Sequence, residues 1–156
     1  MSIKEVQRLT GRMAALNRFL SRSAVRGLPF FRILKAPKDF QWTEECEKAF
    51  TDLKAYLAEL PALTASEQGE TLFLYLSTCN EAVSAVLVRE DRGAQMPIYY
   101  VSRALQGPET RYAPAEKTAP ALGHAARKLL LYLQAHTLRL EAPLVRLEGW
   151  FWRWPV

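Results

Sequence analysis

Apolar residues recur at helical spacing along the first 60 residues of this 156-residue chain. The first set follows steps of three and four residues: Val6, Leu9, Met13, Leu16 and Leu20. This spacing predicts an amphipathic helix over about residues 4–20. A second set predicts a short helix that is capped by Ser21 or Ser23 and ended by Pro37. Its apolar positions are Val25, Leu28, Phe31 and Leu34.

A third helix is predicted to begin at Thr43, whose hydroxyl can accept a backbone N–H of the first turn. Glu44 and Glu45 follow, and both favour the positive end of the helix dipole. The apolar stripe of this helix is Cys46, Phe50, Leu53, Leu57 and Leu60, and we expect Leu60-Pro61 to close it. Because Cys46 lies on the stripe, it is predicted to be a buried structural thiol.

After a polar connector at 64–70, the spacing of the apolar residues changes from helical to extended. Strands are predicted at about 72–76, 82–88 and 95–102, and a turn at 90–93 makes the last two an antiparallel hairpin. A long helix follows over about 115–135. Pro120 and Gly123 both weaken a helix interior, so we expect a kink or a late helix start near Pro120. Residues 137–140 predict one more short strand, which can lie parallel to the first.

Positive charge is concentrated at the start of this chain of net charge +5. Before Asp39, only Glu5 opposes a run of basic residues: Lys4, Arg8, Arg12, Arg18, Arg22, Arg26, Arg32, Lys35 and Lys38. Such a block suits phosphates, which attract Lys and Arg without regard to base sequence. A solvated helix face is the other interpretation. Arg103, Arg111, Arg127 and Lys128 add a second basic group later in the chain.

The two cysteines, Cys46 and Cys79, are too few for a disulfide framework or a four-cysteine zinc site. They fit a reducing compartment. No apolar run approaches the ~18–20 residues of a membrane span, and the N-terminus alternates charged with apolar residues, unlike a secretory signal. We therefore expect an intracellular protein, cytoplasmic or nuclear, with no membrane span.

Several ordered blocks carry a specific resemblance. The segment KEVQRLTGRMAALNRFL at 4–20 is followed by FQWTEECEKAF at 40–50, AVSAVL at 82–87, PIYYVSR at 97–103 and RYAPAEK at 111–117. This order resembles a gypsy-type LTR-retrotransposon Pol polyprotein, and the residues of the blocks are most similar to those of plant elements. The resemblance implies reverse transcriptase thumb and connection helices, then an RNase H-like sheet. Active members of this family cleave the RNA of an RNA–DNA hybrid with carboxylates that hold two divalent ions, for which Mg²⁺ is suited.

The resemblance also indicates where those carboxylates belong. Ser77 stands at the position of the first Asp and Thr118 at that of the Glu, while the third acid is expected after Leu140, where the chain reads Glu141-Ala-Pro. The fourth is expected in a final helix that lies beyond this sequence. No catalytic or metal-binding acid is therefore in register, which predicts an inactive fragment without a metal cofactor. Glu81, Glu116 and Glu141 are weak substitutes, and they leave open a residual Mg²⁺-dependent hybrid ribonuclease.

Other chemistry is less well supported. The chain contains no Asp-Asp pair, so polymerisation by this chain alone is excluded. His124 and His136 lack the partners and spacing of a zinc site. Tyr99 and Tyr100 are predicted to pack within the sheet rather than to stack on bases.

The sequence thus predicts an α/β protein with a helical connection segment at 1–62, an incomplete RNase H-like fold at 70–142 and an unrelated Trp-rich tail at 143–156. The predicted function is weak, salt-sensitive binding of RNA–DNA hybrid or other nucleic acid. The residues expected to bind it are Lys4, Arg8, Arg12, Arg18, Arg22, Arg26, Arg103 and Arg111. Besides the residual hybrid ribonuclease, two alternatives stay open. One is a structural scaffold within the rest of a retrotransposon polymerase or within a subunit pair, and the other is a decayed relic without a selected role.

Overall fold

A computed structural model describes residues 1–60 and 62–141 of the chain. In this part the helices are α1 (Ile3–Ala15), α2 (Ser23–Lys35), α3 (Glu44–Ala58), α4 (Pro114–Lys128) and α5 (Leu130–Ala135). The strands are β1 (Thr71–Thr78), β2 (Ala82–Asp91), β3 (Ala94–Ala104) and β4 (Thr137–Glu141). Short 3₁₀ turns lie at Asn17–Phe19, Pro37–Asp39 and Gly107–Arg111. The predicted Trp-rich tail at 143–156 lies outside the described residues.

The strands form one mixed sheet in the order β3-β2-β1-β4. β1, β2 and β3 are antiparallel neighbours, whereas β4 lies parallel to β1. The hairpin between β2 and β3 turns through Arg92 and Gly93, which have φ values of 51° and 81°. Two successive positive φ values are typical of the two-residue turn that matches the twist of paired strands. The predicted α/β class, hairpin and parallel fourth strand are confirmed.

α1 is shorter than predicted. Its start is fixed by Ser2 and Glu5, because the Glu5 carboxylate accepts the Ser2 backbone N–H at 2.7 Å. The prediction of a helix to residue 20 is wrong, since the chain leaves the helix after Ala15 and passes through the 3₁₀ turn Asn17–Phe19. This change of direction leaves Leu16 exposed and buries Leu20.

The predicted cap and buried face of α2 are also wrong. The N-cap is Arg22, in the left-handed conformation with φ 53°, and neither Ser21 nor Ser23 caps the helix. The buried positions are Ser23, Ala24, Gly27 and Phe30. Of the predicted apolar positions, Val25 and Leu28 are half-buried, and Leu34 packs against the core formed by the helices. Phe31 is exposed, and its ring covers Gly27, where an added Cβ would lie 2.8 Å from Cε2. The small residues face inward because α2 packs on β2 and β3.

α3 begins as predicted, with the Thr43 hydroxyl accepting the Cys46 N–H at 3.3 Å. Cys46 is buried, which confirms a structural thiol. The helix ends at Ala58, so Leu60 is exposed and does not belong to the buried stripe. The helices and the sheet each have a large apolar core. The helical core comprises Val6, Met13, Leu20, Phe30, Cys46 and Leu53, and the sheet core joins the leucines of β1 to Ala125 and Leu129.

Of the two outcomes predicted near Pro120, a kink or a late helix start, the late start is wrong. α4 begins at Pro114, a position where a missing N–H is tolerated, and it continues through Pro120. Burial of Lys117, Ala121 and Ala125 against the sheet holds the segment around Pro120 in the helix. The long helix is instead interrupted at Leu129, the residue that separates α4 from α5 along the chain. The Leu129 side chain is fully buried. No helix in the described part of the chain is long and apolar enough to cross a membrane.

Candidate nucleic-acid interface

The residues that the family resemblance singles out lie at one end of the sheet. Ser77 is near the end of β1, and Glu141 ends the neighbouring parallel strand β4. Glu81 comes directly before β2, which runs antiparallel to β1 and so begins at the same end. The Nζ of Lys117 donates to the Asn80 carbonyl at 3.3 Å and brings the first turns of α4 to this end as well.

Two of the acids at this end, Glu81 and Glu116, already have partners within the protein. Glu81 accepts two hydrogen bonds from one Arg32 nitrogen, at 2.8 and 2.7 Å, and the bond to Glu81 raises the pKa of Arg32. Glu116 accepts the Ala113 backbone N–H at 2.8 Å, as a cap of α4. The Thr118 hydroxyl donates to the Pro114 carbonyl at 3.3 Å. Within residues 1–60 and 62–141, no three His, Cys, Asp or Glu side chains are grouped to hold a metal ion.

Two positively charged side chains therefore lie at the end of the sheet where the family resemblance places the catalytic carboxylates. Arg32 reaches it through Glu81, and Lys117 through the Asn80 carbonyl. Lys117 is only 4% exposed, so its ammonium lies in the interior beside α4. A buried positive charge opposes the approach of a divalent cation, and opposition of this kind is stronger in the protein interior than in water.

A basic stripe, which we define as Lys4, Arg8 and Arg12, runs along the outer face of α1. All three side chains are exposed, and their spacing of four residues places them on one face. At 1.5 Å of rise per residue, neighbouring positions are about 6 Å apart along the helix axis. The opposite side of α1 buries Val6 and Met13 in the helical core. Packing of that apolar side directs the stripe to solvent.

The other predicted binding residues are arranged differently. The Arg26 guanidinium lies 3.9 Å from the centre of the Tyr56 ring and its Nε donates to the Ser21 carbonyl, while burial lowers the pKa of Arg26. Arg103 makes two hydrogen bonds to Glu109, at 3.1 and 2.7 Å, and these lower the pKa of Glu109. Arg111 is exposed at the end of a 3₁₀ turn, and Arg22 forms the N-cap of α2. Arg18 is exposed in the turn after α1.

Sequence reasoning missed a buried hydroxyl pair that joins the helices to the sheet. Ser84 and Ser102 are paired across β2 and β3, and their hydroxyl oxygens lie 3.1 Å apart. Ser102 also accepts the Ala24 N–H, in the first turn of α2, at 3.1 Å. A strand hydroxyl thereby caps a helix whose own N-cap residue supplies no side-chain acceptor. The available signal was two serines at similar positions in otherwise apolar strands.

The tyrosines of β3 pack as predicted. Tyr100 is 3% exposed, and its burial raises its pKa. Tyr99 is half-buried and meets Tyr132 edge to face, with ring centres 6.2 Å apart. His124 lies on α4, and burial is the main cause that lowers its pKa. The nearby positive charges of Arg103, Lys128 and Arg127 lower it further.

Comparison with known structures reproduces this architecture. The foamy viral protease-reverse transcriptase in complex with dsDNA superimposes with a TM-score of 0.75 at 17% identity, covering 98% of this chain and 32% of that one. The same enzyme in complex with RNA/DNA hybrid gives a TM-score of 0.75 at 18% identity, covering 92% and 20%. At this level of identity the likeness establishes the fold, and it confirms the RNase H-like prediction.

Sequence comparison leads to the same family. The chain is 30% identical over 105 residues to the retrovirus-related Pol polyprotein from transposon 412 of Drosophila melanogaster, covering 67% of this chain and 8% of the relative. It is 27% identical over 143 residues to the Pol polyprotein from transposon opus of the same organism, covering 85% and 14%. The chain thus spans a small part of these relatives. Residues 42–140 match the family model for the RNase H-like domain found in reverse transcriptase, and the chain belongs to that family.

Proposed function

We propose that this chain is a non-catalytic RNase H-like domain that binds nucleic acid through its phosphates. The observation that carries the proposal is the basic stripe of α1, where three exposed cations lie on one face. The same chain forms a sheet at whose expected catalytic end two of the acids, Glu81 and Glu116, are already hydrogen-bonded within the protein. The proposal therefore combines retained electrostatic binding with lost cleavage.

Loss of cleavage follows from the chemistry that the reaction requires. Two divalent ions, about 3.5–4 Å apart, need carboxylates that bridge and neutralise them. The hydroxyls of Ser77 and Thr118 are neutral and supply none of that charge. Recruiting Glu81 would require breaking its pair with Arg32, and recruiting Glu116 would remove the cap of α4. The residual Mg²⁺-dependent ribonuclease remains the alternative, and it requires Glu81, Glu116 and Glu141 to converge.

Binding follows from the geometry of the stripe. From Lys4 to Arg12 the stripe extends about 12 Å along the helix axis. Each strand of a duplex carries one phosphate per about 3.4 Å of its axis, so the stripe passes three to four phosphates. The structural neighbours include complexes with dsDNA and with RNA/DNA hybrid, which supports both duplexes as ligands to test. Contacts of this kind give affinity without base specificity.

A salt titration tests the proposal. Fluorescence anisotropy of a labelled RNA–DNA hybrid would be measured against the whole chain and against the triple variant Lys4→Ala/Arg8→Ala/Arg12→Ala. If each stripe residue neutralises one phosphate, the plot of log K against log salt should lose about 2.7 of its slope in the variant, at about 0.9 per contact.

A matched control has the same net charge as the stripe variant. Lys35, Lys38 and Lys48 are exposed and lie off the stripe, so their replacement by Ala removes the same charge. We expect this control to keep most of the slope of the unmodified chain. Equal losses in both variants, or binding that does not change with salt, would contradict the proposed stripe.

The wider setting is also part of the proposal. We propose that the parent polyprotein is of the gypsy type, which the ordered motifs between residues 4 and 117 support. A plant source stays a prediction from the amino-acid sequence of those motifs. An intracellular location is supported by the free thiols of Cys46 and Cys79. If the domain serves as a scaffold for the rest of a polymerase, it should co-purify with a partner that carries the polymerase palm.

A further inference from the structure

A small basic cavity lies where the 3₁₀ turn after α1 meets the edge of β3. Its volume is about 150 Å³. It is lined by Ala14, Ala15, Asn17, Arg18, Tyr99, Tyr100, Val101 and Lys128. Among the described residues, the charged members of this lining are both basic, Arg18 and Lys128. A cavity needs only roughly 10–15 Å³ on this measure to hold one water molecule, so the volume leaves room for several waters or for a phosphate group.

Arg18 is held at this cavity by aromatic rings. Its guanidinium carbon lies 5.1 Å from the ring centre of Phe19 and 5.1 Å from that of Tyr99. Aromatic contact of this kind engages the face of the guanidinium and leaves its N–H donors available at the edge. The guanidinium presents its N–H donors in one plane, which suits the oxygens of a phosphate. Because the rings already restrict the Arg18 side chain, it loses less conformational entropy when it binds.

Lys128 supplies a second charge from a different element. It ends α4, while Arg18 comes from the turn after α1, so the fold brings together two cations separated by 110 positions in the sequence. Lys128 is exposed, and its charge contributes to the lowered pKa of His124. The Asn17 side chain, which accepts the Ser23 hydroxyl, adds a polar group to the lining.

We propose that this cavity binds a single phosphate group between Arg18 and Lys128. Two cations around one site attract a dianion or a backbone phosphate more strongly than either cation alone. The phosphate can belong to a nucleic-acid backbone, in which case the site extends the interface of the proposed function, or it can be free phosphate. Either source requires both side chains to act on one ligand.

Salt dependence distinguishes one shared phosphate from two separate contacts. For the RNA–DNA hybrid, Arg18→Gln/Lys128→Gln should reduce the slope of log K against log salt by about 0.9, since one phosphate contact is lost. Two independent contacts would reduce it by about 1.8. A reduction of the larger size, or additive effects of the two single variants, would overturn a shared site. Lys128→Gln alone, at an exposed position, should also weaken binding.

Titration with inorganic phosphate provides an arm that does not depend on the proposed function. We expect saturable shifts in ¹H–¹⁵N spectra at the amides of 17–19, 99–101 and 128, and their loss in the double variant. The stripe variant Lys4→Ala/Arg8→Ala/Arg12→Ala should keep these shifts, which separates a failure of the stripe from a failure of the cavity. Phosphate shifts without any change in the hybrid slope would assign the site to free phosphate. Absence of both responses would overturn the proposal.

Discussion

Replacing Ser102 by Ala tests how the helices are joined to the sheet. The Ser102 hydroxyl accepts the Ala24 N–H at 3.1 Å and lies 3.1 Å from the Ser84 hydroxyl. All three residues are buried, with 6 to 8% of their surface exposed. The variant removes the acceptor and leaves an N–H in the first turn of α2 without a partner, away from water.

The expected cost follows from the unmade hydrogen bond. A buried donor that loses its partner costs about 1–3 kcal/mol, more than the net value of an ordinary hydrogen bond. Ser84→Ala should cost less, because Ser102 then still accepts the Ala24 N–H and lies 3.5 Å from the Val83 carbonyl. Thr51→Ala, at an exposed position of α3, should stay within about 0.5 kcal/mol of the unmodified chain.

Urea denaturation measures this difference. With an m-value of about 2 kcal/mol per molar, the midpoint for Ser102→Ala should fall by about 0.5–1.5 M. An unchanged m-value would show that the loss is one of stability and not of compactness. The reasoning is refuted if Ser102→Ala behaves like Thr51→Ala, or if Ser84→Ala is as costly as Ser102→Ala.

Two further predictions concern the core and the pH dependence. Phe30 is fully buried and stacks on Trp42, so Phe30→Ala should lower the free energy of unfolding by about 3–5 kcal/mol in the same denaturation assay; a loss below 1 kcal/mol would contradict this packing. Burial lowers the pKa of His124 in the folded chain, so below about pH 6.5 the unfolded chain binds the proton more readily. The free energy of unfolding should therefore decrease as the pH is lowered through this range. His124→Gln should make this decline shallower; an identical decline would contradict the assignment.

The extent to which the fold could be predicted depended on whether local chemistry decided each element. Thr43 caps α3 and Arg92-Gly93 forms the hairpin turn because these are properties of the residues themselves. The face of α2 was predicted wrongly because apolar spacing favoured Val25 and Phe31, whereas the face that packs on β3 carries the small residue Ala24, whose N–H donates to Ser102. Tertiary contact overrode the local pattern.

The candidate site divides in the same way. The exposure of Lys4, Arg8 and Arg12 follows from helical spacing against a buried stripe, so sequence alone could place them. The packing of Arg26 on Tyr56 and the pairing of Arg103 with Glu109 depend on which elements meet in three dimensions. The approach of Lys128 to Arg18 across 110 positions is equally a consequence of topology. Spacing along the chain holds no information on such contacts.

The most direct test of the account is a cleavage assay on an end-labelled RNA–DNA hybrid with the whole chain, in Mg²⁺ and then in Mn²⁺. The account predicts intact RNA in both metals at concentrations where anisotropy shows the hybrid to be bound. Metal-dependent cleavage that disappears in Glu81→Gln, Glu116→Gln or Glu141→Gln would show that these acids form a working centre, and it would contradict the account.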